Sequence, residues 1–277
     1  MAVSAAGRST PWWVPWALVA PGVAWLGAFF VVPMVRLGTL SVQDGGLSNF
    51  VDVLADNSEV VLRTFWYAAA ATLAALVLGY PLAYVIATRG GRAKGLLLGL
   101  VVLPFFTTYL LRAIAWRVLL GGNGPVVGFL QAIGLFGSDD GILATDIAVI
   151  GALTYNFLPF MVLPVYVSLE KVDRRLVEAG QDLYGGPVRT FRRVTLPLSM
   201  PGVFAGSLLT FIPAAGDFVN AEFLGSDNQR MIGSVIVANF AKEFLKPQMS
   251  ALSFVLMALI LAGVLVYARL LGTEDLA

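Results

Sequence analysis

Few side chains in this sequence could carry out covalent chemistry. The chain of 277 residues contains no histidine and no cysteine, so it lacks the commonest general base and the thiol nucleophile. It also lacks the G-x-x-x-x-G-K-[ST] phosphate loop of nucleotide-binding proteins. We therefore predict no catalytic residue, no metal site and no cofactor on this chain, and the residues of interest are those that could bind a solute.

One group of acidic and polar residues follows Pro213, which should kink or end a hydrophobic helix. The candidates are Asp217, Asn220 and Glu222, together with Tyr109 and Trp116 from another part of the chain. Carboxylates beside aromatic rings suit a cationic amine, because the carboxylate pairs with the charge and the ring faces hold ammonium or methylene groups. The alternative is a solvated loop whose acids face water, and the residue pattern favours neither interpretation.

Asn156 lies in the middle of another hydrophobic run, in the sequence TYNFLP. A polar group at membrane depth is costly and marks either a functional site or a helix contact. Asn156 belongs to a solute pathway with the residues above, or it makes a helix–helix hydrogen bond that contributes under about 1 kcal/mol.

The elements that must position these residues are hydrophobic. The chain is 58% hydrophobic and 13% charged, with a mean hydropathy of +0.82. A soluble domain carries nearly twice that share of charge. The net charge of +1 lacks the excess of basic residues that is typical of proteins that bind nucleic acid. We predict an integral membrane protein that contacts lipid and has no nucleic-acid partner.

A helix needs about 20 apolar residues to cross the hydrocarbon core of a membrane. Six uncharged runs meet or approach this length, and they predict one all-α transmembrane domain that occupies residues 1–277. The predicted spans are approximately residues 14–36, 62–88, 95–119, 145–169, 196–215 and 248–270. A further uncharged run, 118–138, is rich in glycine, so we predict an external loop with a short helix from about residue 126 to 135.

Lysine and arginine set the predicted orientation. With the N-terminus inside, the internal segments carry most of the basic residues and the external loops carry most of the acids. We predict a multi-pass protein of a cell membrane with both termini in the cytoplasm.

The longest charged insert, residues 170–195, separates spans 4 and 5. On a helical projection, its first part divides into an apolar side and a polar side. The apolar side holds Leu176, Val177, Ala179, Gly180, Leu183 and Tyr184, and the polar side holds Arg174, Arg175, Glu178, Gln181 and Asp182. Gly185 and Gly186 should end this helix, and Pro187 should begin a second one.

Two interpretations of the insert remain open on physical grounds. Basic amphipathic helices often lie on anionic lipid headgroups, and the arginines of the second helix fit that arrangement. The first helix carries Glu178 and Asp182, and its apolar side includes the small residues Ala179 and Gly180. Small residues permit close packing, as for a helix seated in the groove of a partner protein.

The insert resembles the EAA loop of the membrane subunits of bacterial ABC importers. The residues that match the pattern in register are Glu178, Ala179, Leu183, Phe191, Val194, Leu196 and Pro197. Gly180 stands where a second alanine is usual, and Tyr184 stands where a glycine is usual, although Gly185 follows at once. The resemblance implies the type I ABC importer permease fold, with the first helix of the insert as the cytoplasmic coupling helix. The residues it implies at the contact with the ATPase are Glu178, Ala179, Gly180, Asp182, Leu183, Tyr184, Gly185 and Gly186.

Two further stretches, 110–130 and 201–225, resemble the spermidine/putrescine-type permease branch. The resemblance implies a transport subunit of the bacterial cytoplasmic membrane that is not an enzyme and moves a small solute, with a polyamine as the first candidate. The implied partners are two copies of an ATP-binding subunit that holds ATP and magnesium, a second related permease and an external substrate-binding protein. A heterodimer of permeases is the expected pairing.

Other solutes are compatible with the same resemblance, because related branches import opines, iron, sulfate or sugars. An ion-coupled secondary carrier is a separate alternative. Such a carrier would need ionisable residues buried in its spans, and the predicted span centres are almost free of them.

Overall fold

The computed structural model describes residues 12–134, 141–184, 186–242 and 246–270, and within these ranges it contains helices and no strand. The first helices are α1 (Val14–Leu26), α2 (Val32–Ser41), α3 (Ser48–Asp56), α4 (Ser58–Arg89), α5 (Lys94–Val102), α6 (Tyr109–Leu120) and α7 (Pro125–Ala132). The next are α8 (Asp146–Glu170), α9 (Arg174–Tyr184), α10 (Pro187–Thr190), α11 (Leu196–Ala215), α12 (Val219–Leu224), α13 (Ile232–Lys242) and α14 (Pro247–Leu270). Short π-helical turns, Gly27–Val31 and Phe191–Thr195, join α1 to α2 and α10 to α11. Short 3-10 turns lie at Gly91–Ala93, Leu103–Phe106 and Asp227–Gln229.

Six of the described segments are long and apolar enough to cross a membrane. They are Val14–Ser41, Ser58–Arg89, Tyr109–Ala132, Asp146–Glu170, Pro187–Ala215 and Pro247–Arg269. The predicted class, an all-α membrane protein with six spans, is confirmed.

The region predicted as the third span, 95–119, is not one continuous helix. Helix α5 ends at Val102, a 3-10 turn carries Pro104, and Thr107 and Thr108 are extended before α6 begins at Tyr109. Pro104 has no N–H to continue the hydrogen-bond ladder of α5, so the helix breaks there. The break fixes the position of Tyr109 at the start of α6. In the glycine-rich run that follows, α7 covers Pro125–Ala132, and residues 135–140 of that run lie outside the described residues.

Helices α4, α8 and α11 pack against one another and form the centre of the fold. The crossing of α8 and α11 requires glycine. A Cβ at Gly206 would lie 2.9 Å from Met161 Sδ and 3.1 Å from the Met161 carbonyl oxygen, and one at Gly202 would lie 2.5 Å from the Pro164 carbonyl oxygen. Small residues at such crossings let membrane helices approach closely.

Hydroxyl groups add polar ties between these helices. The Tyr67 hydroxyl on α4 donates to Asp146 Oδ1 at the start of α8, at 2.6 Å. The Tyr80 hydroxyl lies 2.7 Å from Ser199 Oγ, which joins α4 to α11. These contacts satisfy polar groups that would otherwise be unpaired inside the bundle.

Candidate functional site

The polar residues that the sequence places far apart meet where α6, α8 and the turn after α11 come together. Asp217 lies in that turn, is 7% exposed and accepts two hydrogen bonds. The Tyr109 hydroxyl donates to Asp217 Oδ2, and the backbone N–H of Asn220 donates to Asp217 Oδ1 at 2.8 Å. The carboxylate is therefore held by neutral donors.

Two asparagine side chains extend this network into the bundle. Asn220 Nδ2 donates to the Tyr109 hydroxyl at 2.6 Å, and Asn156 Nδ2 donates to Asn220 Oδ1 at 3.1 Å. Both asparagines are fully buried. Among the described residues, the Oδ1 atom of Asn156 has no hydrogen-bond partner. The network Asp217–Tyr109–Asn220–Asn156 is called the polar node below.

Burial raises the pKa of Asp217 above the ordinary range of an aspartate, because removal from water disfavours the charged form. The hydrogen bonds from Tyr109 and Asn220 act in the opposite direction and lower it. Each donor that is removed should therefore make the carboxylate easier to protonate.

Arg112 borders the polar node, and the sequence analysis did not name it as a site residue. Its side chain is 8% exposed, and its Nε and Nη1 atoms have no hydrogen-bond partner among the described residues. The guanidinium carbon lies 5.1 Å from the centroid of the Phe105 ring and 5.2 Å from that of the Tyr109 ring. The signal available in the sequence was an arginine one helical turn after a candidate tyrosine.

Aromatic rings form a continuous wall beside Arg112 and the polar node. Phe105 contacts Phe160 edge to face at a centroid distance of 5.1 Å, and Tyr109 lies 6.5 Å from Phe157. Phe157 and Phe160 stack at 6.2 Å. An anion, a cation and aromatic faces therefore lie within one cluster, and this combination can bind a charged organic solute.

Of the six residues predicted for the solute pathway, the structure brings four together in the polar node: Tyr109, Asn156, Asp217 and Asn220. Trp116 packs edge to face on Tyr155, at a centroid distance of 5.4 Å, and is not part of the polar node. Glu222 belongs to α12 and is exposed. The two carboxylates of the original group thus lie in different environments.

The insert forms two helices, α9 and α10, with a bend between them. Asp173 Oδ1 accepts from the backbone N–H of Arg175 at 2.9 Å and caps the start of α9. Gly186 is extended and directly precedes Pro187, the first residue of α10. Gly185 lies outside the described residues, and α9 ends at Tyr184.

Gly180 is the contact point between α9 and the following segment. It is buried, and a Cβ at this position would lie 3.0 Å from both Thr190 Cγ2 and Val194 Cγ2. The glycine that replaces the usual alanine thus allows α9 to lie close to the segment that leads into α11.

The outer surface of the insert carries both charge and apolar groups. The exposed residues predicted at a partner contact are Glu178, Ala179, Asp182 and Leu183. Leu183 is 75% exposed, Val188 is 70% exposed and Leu176 is 50% exposed. Leu176 and Leu183 are seven residues apart and therefore share a side of α9, so the exposed surface of this helix combines apolar and charged groups.

Phe191 connects the insert to α4. Its ring meets the rings of Tyr80 and Tyr84 edge to face, at centroid distances of 5.8 and 5.7 Å. Such ring pairs contribute about 0.5–1.5 kcal/mol beyond their buried area. Phe191 therefore packs the end of the insert directly against one of the central helices.

Comparison with known proteins agrees with this architecture. Residues 75–272 match the family described as "Binding-protein-dependent transport system inner membrane component". The chain is 37% identical over 257 residues to the spermidine/putrescine transport system permease protein PotB of Haemophilus influenzae, covering 89% of this chain and 90% of that protein. It is 38% identical over 229 residues to PotB of Escherichia coli, covering 79% of this chain and 83% of that protein.

A solved structure shares the fold. The crystal structure of a bacterial ABC transporter involved in the import of the acidic polysaccharide alginate superposes with a TM-score of 0.74, covering 95% of this chain and 96% of that chain. Its sequence identity of 18% limits the likeness to the fold. The six helical spans and the family match over residues 75–272 show that this chain belongs to the family of binding-protein-dependent transport system inner membrane components, as a transmembrane subunit of an ABC importer.

Proposed function

We propose that this importer subunit carries a polyamine, with spermidine and putrescine as the first candidates. The observation that carries the proposal is 37% and 38% identity, over most of the chain, to permeases named for these two compounds. The chemistry of the polar node supports it. A polyamine presents ammonium groups separated by methylenes, and the cluster offers a buried carboxylate beside four aromatic rings.

Asp217 is the residue that would recognise an ammonium group. Its donors are a hydroxyl and a backbone N–H, and none of the ion pairs within the described ranges includes it. An ammonium group that replaced the Tyr109 hydroxyl would keep a hydrogen bond to the carboxylate and add the attraction between opposite charges, which a neutral hydroxyl does not supply. A bound cation would therefore stabilise the charged form of the Asp217 carboxylate.

Helix α9 would transmit the work of ATP hydrolysis. We place its exposed surface, with Glu178, Ala179, Asp182 and Leu183, in a groove of the ATP-binding subunit, which holds ATP and magnesium. This places the insert and both chain termini on the cytoplasmic side. Closure of two ATP-binding subunits would move α9, and the contact of Phe191 with Tyr80 and Tyr84 would pass this motion to the spans.

The remaining partners follow from the same proposal. The solute would arrive from an external substrate-binding protein, and a second related permease would complete the pathway, as a heterodimer. Val14–Ser41 is apolar and leaves most of its surface uncovered within the chain, which makes this surface available to lipid or to the second permease.

Import of an oxyanion is a second candidate function, and Arg112 favours it. Within the described part of the chain, this buried guanidinium has no carboxylate partner, and it offers the planar pair of donors that oxyanions need. The two functions make opposite demands on Asp217 and Arg112, so an uptake experiment can separate them.

The test is uptake into proteoliposomes that contain this chain, its partner permease and the ATP-binding subunit. With the cognate binding protein outside and ATP inside, we expect accumulation of radiolabelled spermidine or putrescine and none of molybdate or sulfate. Accumulation of the oxyanions alone would overturn the polyamine proposal and favour the second candidate.

The coupling contact has its own test, which uses the absence of cysteine from the chain. An Ala179→Cys variant should form a cross-link to a cysteine placed in the groove of the ATP-binding subunit. Ala132→Cys, at the end of α7, is the control and should give no cross-link. Equal cross-linking of both variants would contradict the docking of α9.

A further inference from the structure

Arg112 is a buried cation that the fold does not pair with an acid. Three ion pairs occur among the described residues, Glu59–Arg63, Lys94–Glu170 and Asp227–Arg230, and Arg112 belongs to none of them. An arginine does not lose its proton in a protein, so its charge persists in this apolar setting. With 8% of its surface exposed, the side chain does not extend into water as arginines near the ends of spans usually do.

What holds the guanidinium is the aromatic wall. It lies over the rings of Phe105 and Tyr109 at 5.1 and 5.2 Å, within the range of a cation–π contact. Ring faces compensate only part of the cost of burying a charge. A ligand that binds the rings, or the guanidinium, more strongly can therefore break the contact between them.

Tyr109 belongs to both halves of the cluster. Its ring contacts the Arg112 guanidinium, and its hydroxyl donates to Asp217. An amine bound at Asp217 would therefore meet the ring that the Arg112 guanidinium already contacts. The surface that a cationic solute requires is thus covered by a cation of the protein itself.

We propose that Arg112 is a built-in competitor for the solute. Its guanidinium occupies the aromatic part of the Asp217 site when no solute is present, and it leaves when an ammonium group binds. This inference rests on the proposed cationic substrate and adds a residue that sets affinity and specificity. A solute with several ammonium groups can pair with Asp217 and displace Arg112, whereas a monoamine gains too little to do so.

The experiment measures binding of radiolabelled spermidine to the purified complex in nanodiscs, with this chain, its partner permease and the ATP-binding subunit but without the binding protein. Arg112→Gln should tighten spermidine binding about five- to thirty-fold, since it removes a competitor of the strength of one desolvated cation–π contact. It should also let butylamine compete with spermidine, which it does poorly in the parent complex. Arg112→Lys keeps the charge and should stay close to the parent.

Arg117→Gln is the matched control. Arg117 lies on the same helix and is exposed, so this change removes the same charge without uncovering the rings. Its spermidine affinity should change by less than about two-fold, because the guanidinium that lies over the rings of Phe105 and Tyr109 is that of Arg112. Adding Phe105→Leu to Arg112→Gln removes one of the uncovered rings and should cancel much of the gain.

An assembled Arg112→Gln complex that binds spermidine no more tightly than the parent would overturn the inference. Arg112→Met, an apolar side chain of similar length, replaces it if the glutamine variant does not co-purify with its partners. Failure of both neutral variants to assemble would also overturn the inference, because the charge would then support the fold. A parent complex that neither binds nor imports any polyamine contradicts the proposed function itself, which is a separate result.

Discussion

The hydroxyl of Tyr109 donates to the carboxylate of Asp217 across 108 positions of sequence. This bond joins the start of α6 to the turn that follows α11. The same hydroxyl accepts from Asn220, so one tyrosine oxygen holds together the groups that surround the acid. The polar node therefore depends on the break after Val102 that sets where α6 begins.

Asp217→Asn should reduce uptake of spermidine by more than about ten-fold, because a buried charge pair with the solute is lost. The variant keeps the shape of the side chain, so the complex should still assemble. Uptake into proteoliposomes is the measurement, with co-purification of the ATP-binding subunit as the check on assembly. Glu222→Gln removes a neighbouring exposed carboxylate and should leave uptake nearly unchanged; equal loss in both variants would contradict the assignment of Asp217.

Tyr109→Phe should shift the pH dependence of uptake toward higher pH. The Tyr109 hydroxyl lowers the pKa of Asp217, so its removal raises that pKa further. The charged carboxylate, and with it uptake, is present above this pKa and lost as the pH falls through it. We expect the acid limb of the variant's uptake profile, measured from about pH 4 to 8, to lie at higher pH than that of the parent.

Tyr155→Phe is the control for that change, because Tyr155 packs on Trp116 outside the polar node. Its acid limb should coincide with that of the parent. An unchanged limb in Tyr109→Phe would show that the hydroxyl does not tune the carboxylate.

Gly206→Ala should lower the melting temperature of the detergent-solubilised chain. The added Cβ would meet Met161 at 2.9–3.2 Å, including its backbone, and overpacking of this kind costs about 1–3 kcal/mol. Gly151→Ala is the matched control on α8, since nothing lies within 4 Å of its Cβ position. The control should be neutral or slightly more stable, because alanine favours a helix; a loss as large as that of Gly206→Ala would contradict the packing argument.

Gly180→Val should weaken the link between ATP hydrolysis and uptake. A branched side chain cannot fit where a Cβ alone already lies 3.0 Å from Thr190 and Val194, so α9 must move away from the segment that leads into α11. We expect several-fold less spermidine imported per ATP hydrolysed, measured by parallel uptake and phosphate-release assays. Ala179→Val adds a similar side chain at an exposed position, and its effect should be confined to affinity for the ATP-binding subunit.

The membrane architecture could be predicted because it follows from local composition. The uncharged runs, and the glycines and proline of the insert, act over a few residues, and helix formation in a membrane satisfies the backbone without long-range help. The resemblance of the insert to the EAA loop added the family, which the comparisons confirm.

The polar node could be predicted only in part. Asp217 and Asn220 are neighbours in sequence, but their contact with Tyr109 depends on how α6, α8 and α11 pack. Trp116 and Glu222 have residue types that suit the site, but neither belongs to the node. Trp116 packs on Tyr155, and Glu222 lies on the exposed side of α12. Arg112 was overlooked because a basic residue near a span end usually extends toward water, and here the rings of Phe105 and Tyr109 hold it inside.

The fifth membrane segment, Pro187–Ala215, runs for 29 residues through α10, the π-helical turn Phe191–Thr195 and α11, a path of roughly 43 Å. Phe191 lies near one end of it, and Asp217 lies two residues past the other. If the insert docks on the ATP-binding subunit as proposed, a movement at the Phe191 end would reach Asp217 along this one segment. Under that proposal, the contact that receives the energy of ATP and the residue that binds the solute would lie near the two ends of one membrane segment.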